Sequence, residues 1–392
     1  MAGVHTAIRP SDFLAVDSML SDEERDIRDA VRAFVRERVL PEIADWFERG
    51  ILPRELAGEL GRLGLLGMHL EGYGCAGASA TAYGLACLEL EAGDSGVRSL
   101  VSVQGSLAMF AIHRWGSEEQ KREWLPRMAA GEAIGCFGLT EPDAGSDPGA
   151  MRTRARRDGS DWILHGQKMW ITNGSIADLA IVWAMTDDGV RGFVVPAASG
   201  GFSTQDIRRK LSLRASVTSE LLLDDVRLPQ SALLPGATSL RGPLACLDEA
   251  RFGIVWGAAG AARACFEAAL DHATKRIQFD RPIGSFQLQQ QRLATMALEV
   301  NRATVLALHL GRLKDAGRLL PEHVSMGKLG NVNAALEVAR SARQLLGAGG
   351  ITLEYPVMRH MANLESVVTY EGTADVHALV LGAALTGIPA FR

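Results

Sequence analysis

A chain of 392 residues, with 47% hydrophobic and 22% charged side chains, has the composition of a folded protein with a sizeable core. Its formal charge of −5 lacks the dense basic surface that general nucleic-acid binding requires. The amino-terminal stretch breaks its apolar positions with Asp12 and Asp17, unlike a secretory signal, and nowhere do eighteen apolar residues run together as a membrane span needs.

In chain order, Ser21 and Glu24 form a capping-box pattern before Ile27, Ala30, Val31, Phe34 and Val35, which predicts an amphipathic helix. PRELAGELGRLGLLGMHL continues in helical style, TAYGLACLELEAG from Thr81 is strongly helical, and Ser117 opens a further helix. Near Gly135 the period changes. DWILHGQKMWITNG, ADLAIVWAMTDD, VRGFVVPA and SELLLDDVRLP are short β-branched or aromatic runs divided by Asp, Gly and Asn, and they predict antiparallel strands. After Leu240 three long alanine-rich periodic segments predict a helical bundle. The division is a helical region over 1–134, a middle β region over 135–238 and a four-helix-bundle region over 239–392. This mixed α and β order is neither a βαβ repeat nor a solenoid.

The glycine-rich pieces GRLGLLG and GAGG lack GxGxxG spacing and emerge from helical sequence, which excludes a Rossmann nicotinamide site there. Helix ends and close packing explain both, although the turn at Gly347, Gly349 and Gly350 could also receive part of a cofactor. The segment GCFGLTEPDAGSDPGAMRTRA is too rich in Gly, Pro, Ser, Thr and Asp for a core element and predicts a functional loop. Five scattered cysteines and nine dispersed histidines without HExxH predict reduced thiols and no protein-bound metal. Near the end, VVTYEGTADVH places Glu371 between Tyr370 and Gly372. By itself that carboxylate reads first as a solvated helix residue.

Six motifs taken together change that reading: GLTEPDAGSDP, KMWITNGSIADL, KLSLRAS, RIQFDRPI, RQLLGAGGI and TYEGTADVHALVLG. With them in this order the chain resembles the acyl-CoA dehydrogenase flavoproteins over essentially its whole length, most closely the glutaryl-CoA branch. The resemblance implies an amino-terminal helical domain, a middle antiparallel β domain and a carboxy-terminal helical bundle, assembled as a homotetramer with FAD. It makes Glu371 the base that removes the proton next to the thioester carbonyl while hydride leaves the adjacent carbon for the flavin. The backbone N–H of the same glutamate holds the thioester oxygen in relatives. The implied FAD contacts are Phe137, Leu139, Thr140, Ser146, Trp170 and Thr172, with Arg276, Phe279, Gln287, Gln344, Gly347, Thr373 and Asp375 reaching a neighbouring subunit's flavin or its surroundings. Ser146, Asp248 and Arg251 match CoA-side residues, and Arg251 could instead be a surface charge. Ala348 departs from the paired glycine that the family often has.

The acyl group is addressed by LELEAGDSGVRSLVSVQGSL. A plain alkyl tunnel gives a buried guanidinium nothing to pair with, whereas a dicarboxylic thioester supplies an anion for it. The resemblance places Arg98 and Ser99 at the substrate's distal carboxylate, Glu91 beside them and Tyr370 along the acyl group. Glu91 and Arg98 could equally be a structural pair, although Gly93 and Gly96 weaken the continuous helix that would align them. Val97 stands where the branch more commonly has an aromatic residue. The expected reaction is oxidation and decarboxylation of glutaryl-CoA to crotonyl-CoA, with electrons passed to an electron-transfer flavoprotein, in a bacterial cytoplasm or, for a processed eukaryotic chain, the mitochondrial matrix. The alternative is a dehydrogenase of glutaryl-CoA or another short polar acyl-CoA that does not decarboxylate.

Overall fold

Helix α1 (Asp22–Phe34) begins at the expected capping box, in which Glu24 N–H donates to Ser21 Oγ at 3.2 Å and Ser21 N–H donates to Glu24 Oε2 at 2.8 Å. The computed structural model describes residues 9–390, so the reading of the amino terminus falls partly on residues 1–8, outside the described residues. Short helices α2 (Ile43–Arg49) and α3 (Glu55–Arg62) follow. The helical pattern stops at Arg62 rather than running on to Leu70, because Gly64 and Gly67 turn the chain with φ of +69° and +67°. Gly61 is a packing glycine, since a Cβ there would stand 2.3 Å from the Ala130 carbonyl oxygen.

Helix α4 (Ala80–Gly93) is buried on nearly every face, and Asp94 separates it from α5 (Ser95–Ser102). A π-helical stretch leads to α6 (Phe110–Trp115), and Ser117 with Gln120 caps α7 (Glu118–Ala129).

The middle region is a seven-stranded sheet of β1 (Gly135–Gly138), β2 (Arg154–Asp158), β3 (Asp161–Thr172), β4 (Leu179–Thr186), β5 (Gly189–Pro196), β6 (Phe202–Asp206) and β7 (Thr218–Leu228). The four strands expected from sequence pair antiparallel as β3 with β7 and β4 with β5. Two features differ from the expectation. GCFG is no surface loop but the fully buried β1, and it pairs in parallel with β4, so the sheet is not purely antiparallel. Its small residues hid a strand because Gly135 and Gly138 sit where a Cβ would press on Ala108, Met128, Leu221 and Lys168.

Helices α8 (Arg241–Lys275), α9 (Gln287–Asp315) and α10 (Pro321–Leu345) form the long-helix bundle, with the short hairpin β8 (Ile277–Gln278) and β9 (Arg281–Pro282) after α8. The chain then adds α11 (Val357–Val367) and α12 (Ala374–Thr386). Small residues let α4 and α8 approach closely: a Cβ on Gly260 would meet the Leu88 carbonyl oxygen at 1.9 Å, and one on Gly257 would meet Glu91 Oε2 at 2.1 Å. No helix among the described residues is long and apolar enough to cross a membrane. The cysteines are free, and all but Cys75 are buried.

One ionic cluster joins α1, α4 and α8. Buried Glu89 accepts from Arg263 Nη2 at 2.6 Å and from Arg32 Nη2 at 2.9 Å. Burial works to raise its carboxyl, but the two guanidinium groups outweigh that and hold it down at about 2, against an ordinary 4.5. The stabilisation is therefore complete above pH 4.5 and is lost as pH falls towards 2. Glu89→Gln should leave Arg263 buried without its counter-charge and lower stability by about 3 kcal/mol. An unchanged thermal unfolding midpoint at pH 7 would contradict this role.

Candidate active site

The helix break at Asp94 builds the first half of the site. Asp94 caps α5 by accepting from Gly96 N–H at 2.6 Å, and its other oxygen accepts from Asn363 Nδ2 at 2.9 Å. The resulting bend brings Glu91 and Arg98 together despite the glycines between them. Arg98 Nε donates to Glu91 Oε2 at 2.5 Å, and Ser95 Oγ donates to Glu91 Oε1 at 2.7 Å. Both Glu91 oxygens are thus occupied, and the carboxylate stands behind the guanidinium. Arg98 is 1% exposed; its Nη2 reaches the Tyr370 hydroxyl, with the guanidinium 5.9 Å from the Tyr370 ring centre. Among the described residues its Nη1 has no protein acceptor. Burial works against the charge, but Glu91 outweighs it, so Arg98 remains a cation. The pair is structural, and it also leaves one guanidinium edge for a ligand. Ser99 and Val97 are buried in the same helix.

The second half is the turn between α11 and α12. Glu371 and Gly372 have φ of +52° and +92°, two successive left-handed residues. A side chain at 372 is excluded, since its Cβ would meet His377 Nε2 at 2.9 Å. Glu371 Oε2 is buried with no hydrogen-bond partner, and the Glu371 backbone N–H has no acceptor among the described residues. Burial raises the Glu371 carboxyl, opposed by Arg98, Lys328 and Arg251. A buried carboxylate with an unused oxygen beside an unused N–H donor is suited to taking a proton while the donor stabilises the charge that develops.

Arg251 is no surface charge: its Nε donates to the Glu371 carbonyl at 2.7 Å and its Nη1 to Asp248 Oδ1 at 2.9 Å. Lys328, absent from the residues singled out in the sequence, donates from α10 to the Gly372 carbonyl at 2.5 Å and to the Tyr370 carbonyl. Its only sequence signal was a lysine within an otherwise small and apolar helical stretch. Thr373 caps α12, its Oγ1 accepting from Val376 N–H at 3.2 Å, and Asp375 is exposed in the first turn.

A third cluster lies on the sheet. Met169 N–H donates to the Thr140 carbonyl at 2.8 Å, which brings the GLTEPDAGSDP loop against the end of β3. At the bulge there, Trp170 has φ of +63° and is 56% exposed, an unusual state for an indole and a ready face for a flat ring. Thr140 and Thr172 are half-buried nearby and Ser146 is exposed in the loop, whereas the Phe137 ring is in the core, 6.0 Å from Trp183, and Leu139 is buried. The Phe137 and Leu139 side chains are thus packed away from solvent. Lys168 is a second residue that the sequence reading passed over. Fully buried, it donates to the Leu139 carbonyl at 3.1 Å and to Glu141 Oε1 at 2.7 Å, while Glu141 also accepts from the N–H groups of Arg152 and Thr153. Burial pushes the Lys168 ammonium down to about 8, against the pull of Glu141. The exposed indole, the hydroxyls and the fixed loop fit a flat isoalloxazine ring.

The remaining predicted residues stand apart. Arg276, Phe279, Gln287, Gln344 and Gly347 are exposed on the bundle, Phe279 at 87%, and no hydrogen bond among the described residues joins them to the Trp170 cluster. Ala348 is exposed in the Gly347 turn.

Comparison with known proteins places this geometry. Residues 21–132, 136–226 and 241–386 match the acyl-CoA dehydrogenase N-terminal, middle and C-terminal domains respectively. The chain belongs to the acyl-CoA dehydrogenase family. It is therefore an FAD-dependent enzyme. A glutaryl-CoA dehydrogenase structure from Mycobacterium smegmatis is 69% identical, covers 98% of this chain and 100% of its own, and has a TM-score of 0.97. Another from the same organism, in complex with FADH2, is 61% identical with the same coverage and TM-score. The human mitochondrial short-chain specific acyl-CoA dehydrogenase is 34% identical over 90% of this chain and 88% of its own length.

Lys168→Met should release the Leu139 carbonyl and strand the Glu141 carboxylate. The purified acyl-CoA dehydrogenase should then retain at least about tenfold less flavin after dialysis, the counterpart of about 1.4 kcal/mol. Unchanged flavin absorbance per protein would contradict the role of Lys168 in shaping this loop.

Proposed function

We propose that this enzyme oxidises and decarboxylates glutaryl-CoA to crotonyl-CoA and carbon dioxide. The observation that carries the reading is the Glu91–Arg98–Tyr370 constellation: the buried guanidinium keeps one edge, Nη1, without an acceptor among the described residues, a donor that an alkyl thioester would leave unsatisfied and that the far carboxylate of a diacid would fill. That feature favours the glutaryl-CoA relatives over the short-chain ones.

In this reading Arg98, with Ser99 beside it, holds the distal carboxylate, Tyr370 lines the acyl chain, and Ser146, Asp248 and Arg251 face the CoA side. Glu371 Oε2 takes the α proton, and the Glu371 N–H donates to the thioester oxygen as it gains enolate charge. Bound FAD, against Trp170 and Thr172, supplies the acceptor for the hydride from the β carbon. The carboxylate then lies beyond a conjugated thioester, so loss of carbon dioxide leaves an electron pair delocalised towards the thioester oxygen. Protonation by the Glu371 carboxylic acid gives crotonyl-CoA. Because Glu91 already neutralises much of Arg98, the leaving carboxylate is oriented without being held by a full unshared charge.

The proposed assembly is a homotetramer in which Arg276, Phe279, Gln287, Gln344 and Gly347 approach a neighbour's cofactor, with Thr373 and Asp375 on the flavin side. The exposed Ile277, Phe279, Leu288 and Ile351 support a covered face there. An electron-transfer flavoprotein is the proposed acceptor, and the bacterial cytoplasm or the mitochondrial matrix the proposed compartment.

The test is product analysis with glutaryl-CoA and an artificial electron acceptor. Crotonyl-CoA and carbon dioxide should appear in equal amounts; glutaconyl-CoA as the end product would replace decarboxylation by simple dehydrogenation. In the same assay Glu371→Gln should stay yellow but lose roughly 100-fold or more of its bleaching rate, and undiminished bleaching would overturn its role as base.

A further inference from the structure

Of the three cations that face Glu371, two are already neutralised. Arg98 on α5 is paired with Glu91 of α4, and Arg251 on α8 with Asp248. Lys328 on α10 is 2% exposed and forms no ion pair among the described residues. A buried ammonium without a counter-ion is costly, so its partners matter. They are the carbonyls of Tyr370 and Gly372, one on each side of Glu371, while Arg251 takes the Glu371 carbonyl between them. Three consecutive carbonyls are thereby turned towards cations.

That arrangement explains how a non-glycine residue stays left-handed at 371. Positive φ at a residue with a Cβ is disfavoured, and surrounding contacts must hold it. With the carbonyls held by Lys328 and Arg251, the Glu371 N–H and Oε2 remain without partners among the described residues. The other titratable groups near the turn do not substitute for Lys328. His377 on α12 contacts Ser325 Oγ through Nδ1 at 3.0 Å and is kept neutral, burial pushing its imidazole down to about 3. The Tyr370 hydroxyl is engaged by Arg98, and Glu91 carries the opposite sign.

We propose that Lys328 is a positioning residue for α-proton transfer, clamping the carbonyls of Tyr370 and Gly372 so that the carboxylate and backbone N–H of Glu371 address the thioester together, and setting the base's acidity with an unshared positive charge. The proposal rests on the reading of Glu371 as the base. Burial draws the Lys328 ammonium below its ordinary value, and the Glu371 carboxylate opposes that only in part. Loss of that cation must raise the Glu371 carboxyl further, so the rate of proton removal should need a higher pH to reach its plateau.

The experiment uses the FAD-loaded full chain carrying Lys328→Met or Lys328→Gln, with flavin bleaching by glutaryl-CoA followed by rapid mixing across pH and normalised to bound flavin. The acidic limb should move up by about one pH unit in both variants. The plateau rate should fall about 100-fold for Met and less for Gln, which keeps a donor, while KM changes by less than about threefold. A limb that stays in place in both variants, or a loss that merely follows lost flavin, overturns the proposal. Glu371→Gln measured alongside separates the two ideas: normal bleaching there removes the base itself, whereas a dead Glu371→Gln with unshifted Lys328 variants removes only the role of Lys328.

Discussion

A guanidinium at 1% exposure organises the proposed acyl site, because a charge taken out of water must find a partner or cost several kcal/mol. Glu91 is that partner, and much of the surrounding structure exists to allow the pairing. The chain breaks at Asp94 so that residues seven apart can meet. Gly257 on α8 leaves the space that the Glu91 carboxylate fills, and Ser95 occupies its second oxygen. The pair is then extended by Tyr370 to the turn that carries Glu371, so the group proposed to recognise the far end of the substrate is mechanically joined to the group proposed to begin the reaction.

The two ends of the site solve opposite electrostatic problems. At Arg98 a full positive charge is kept by an adjacent carboxylate. At Glu371 burial favours the neutral acid while the surrounding cations favour the carboxylate, which brings the group closer to the working range of a base. The proposed flavin side is built differently, from backbone and hydroxyl groups where the loop after β1 meets the end of β3, with the buried Lys168–Glu141 pair beside them. Charge there is structural rather than catalytic.

The division into helix, sheet and helix was legible because capping boxes and hydrophobic periods are local signals: Ser21 with Glu24, and the β-branched runs of β3, β4, β5 and β7, appear where they were expected. β1 was not legible, since glycine pairs poorly with strand propensity and its burial depends on distant side chains. The resemblance also pointed to Glu371, Arg98, Tyr370 and Arg251, which do come together. Lys168 and Lys328 escaped because their importance lies in which carbonyls they reach across the fold, a matter of tertiary geometry that residue type does not announce. The exposed Phe279 and Gln344 escaped in another sense, for one chain alone does not bring them to the indole at Trp170.

The central claim is that Arg98 recognises an anionic acyl terminus. Its most direct test is kcat/KM for glutaryl-CoA and for butyryl-CoA in Arg98→Gln against the unaltered enzyme. The account predicts that the glutaryl-to-butyryl ratio falls by at least about 30-fold, the counterpart of roughly 2 kcal/mol for a lost buried charge contact. An equal decline for both thioesters would assign Arg98 to packing alone and contradict the account.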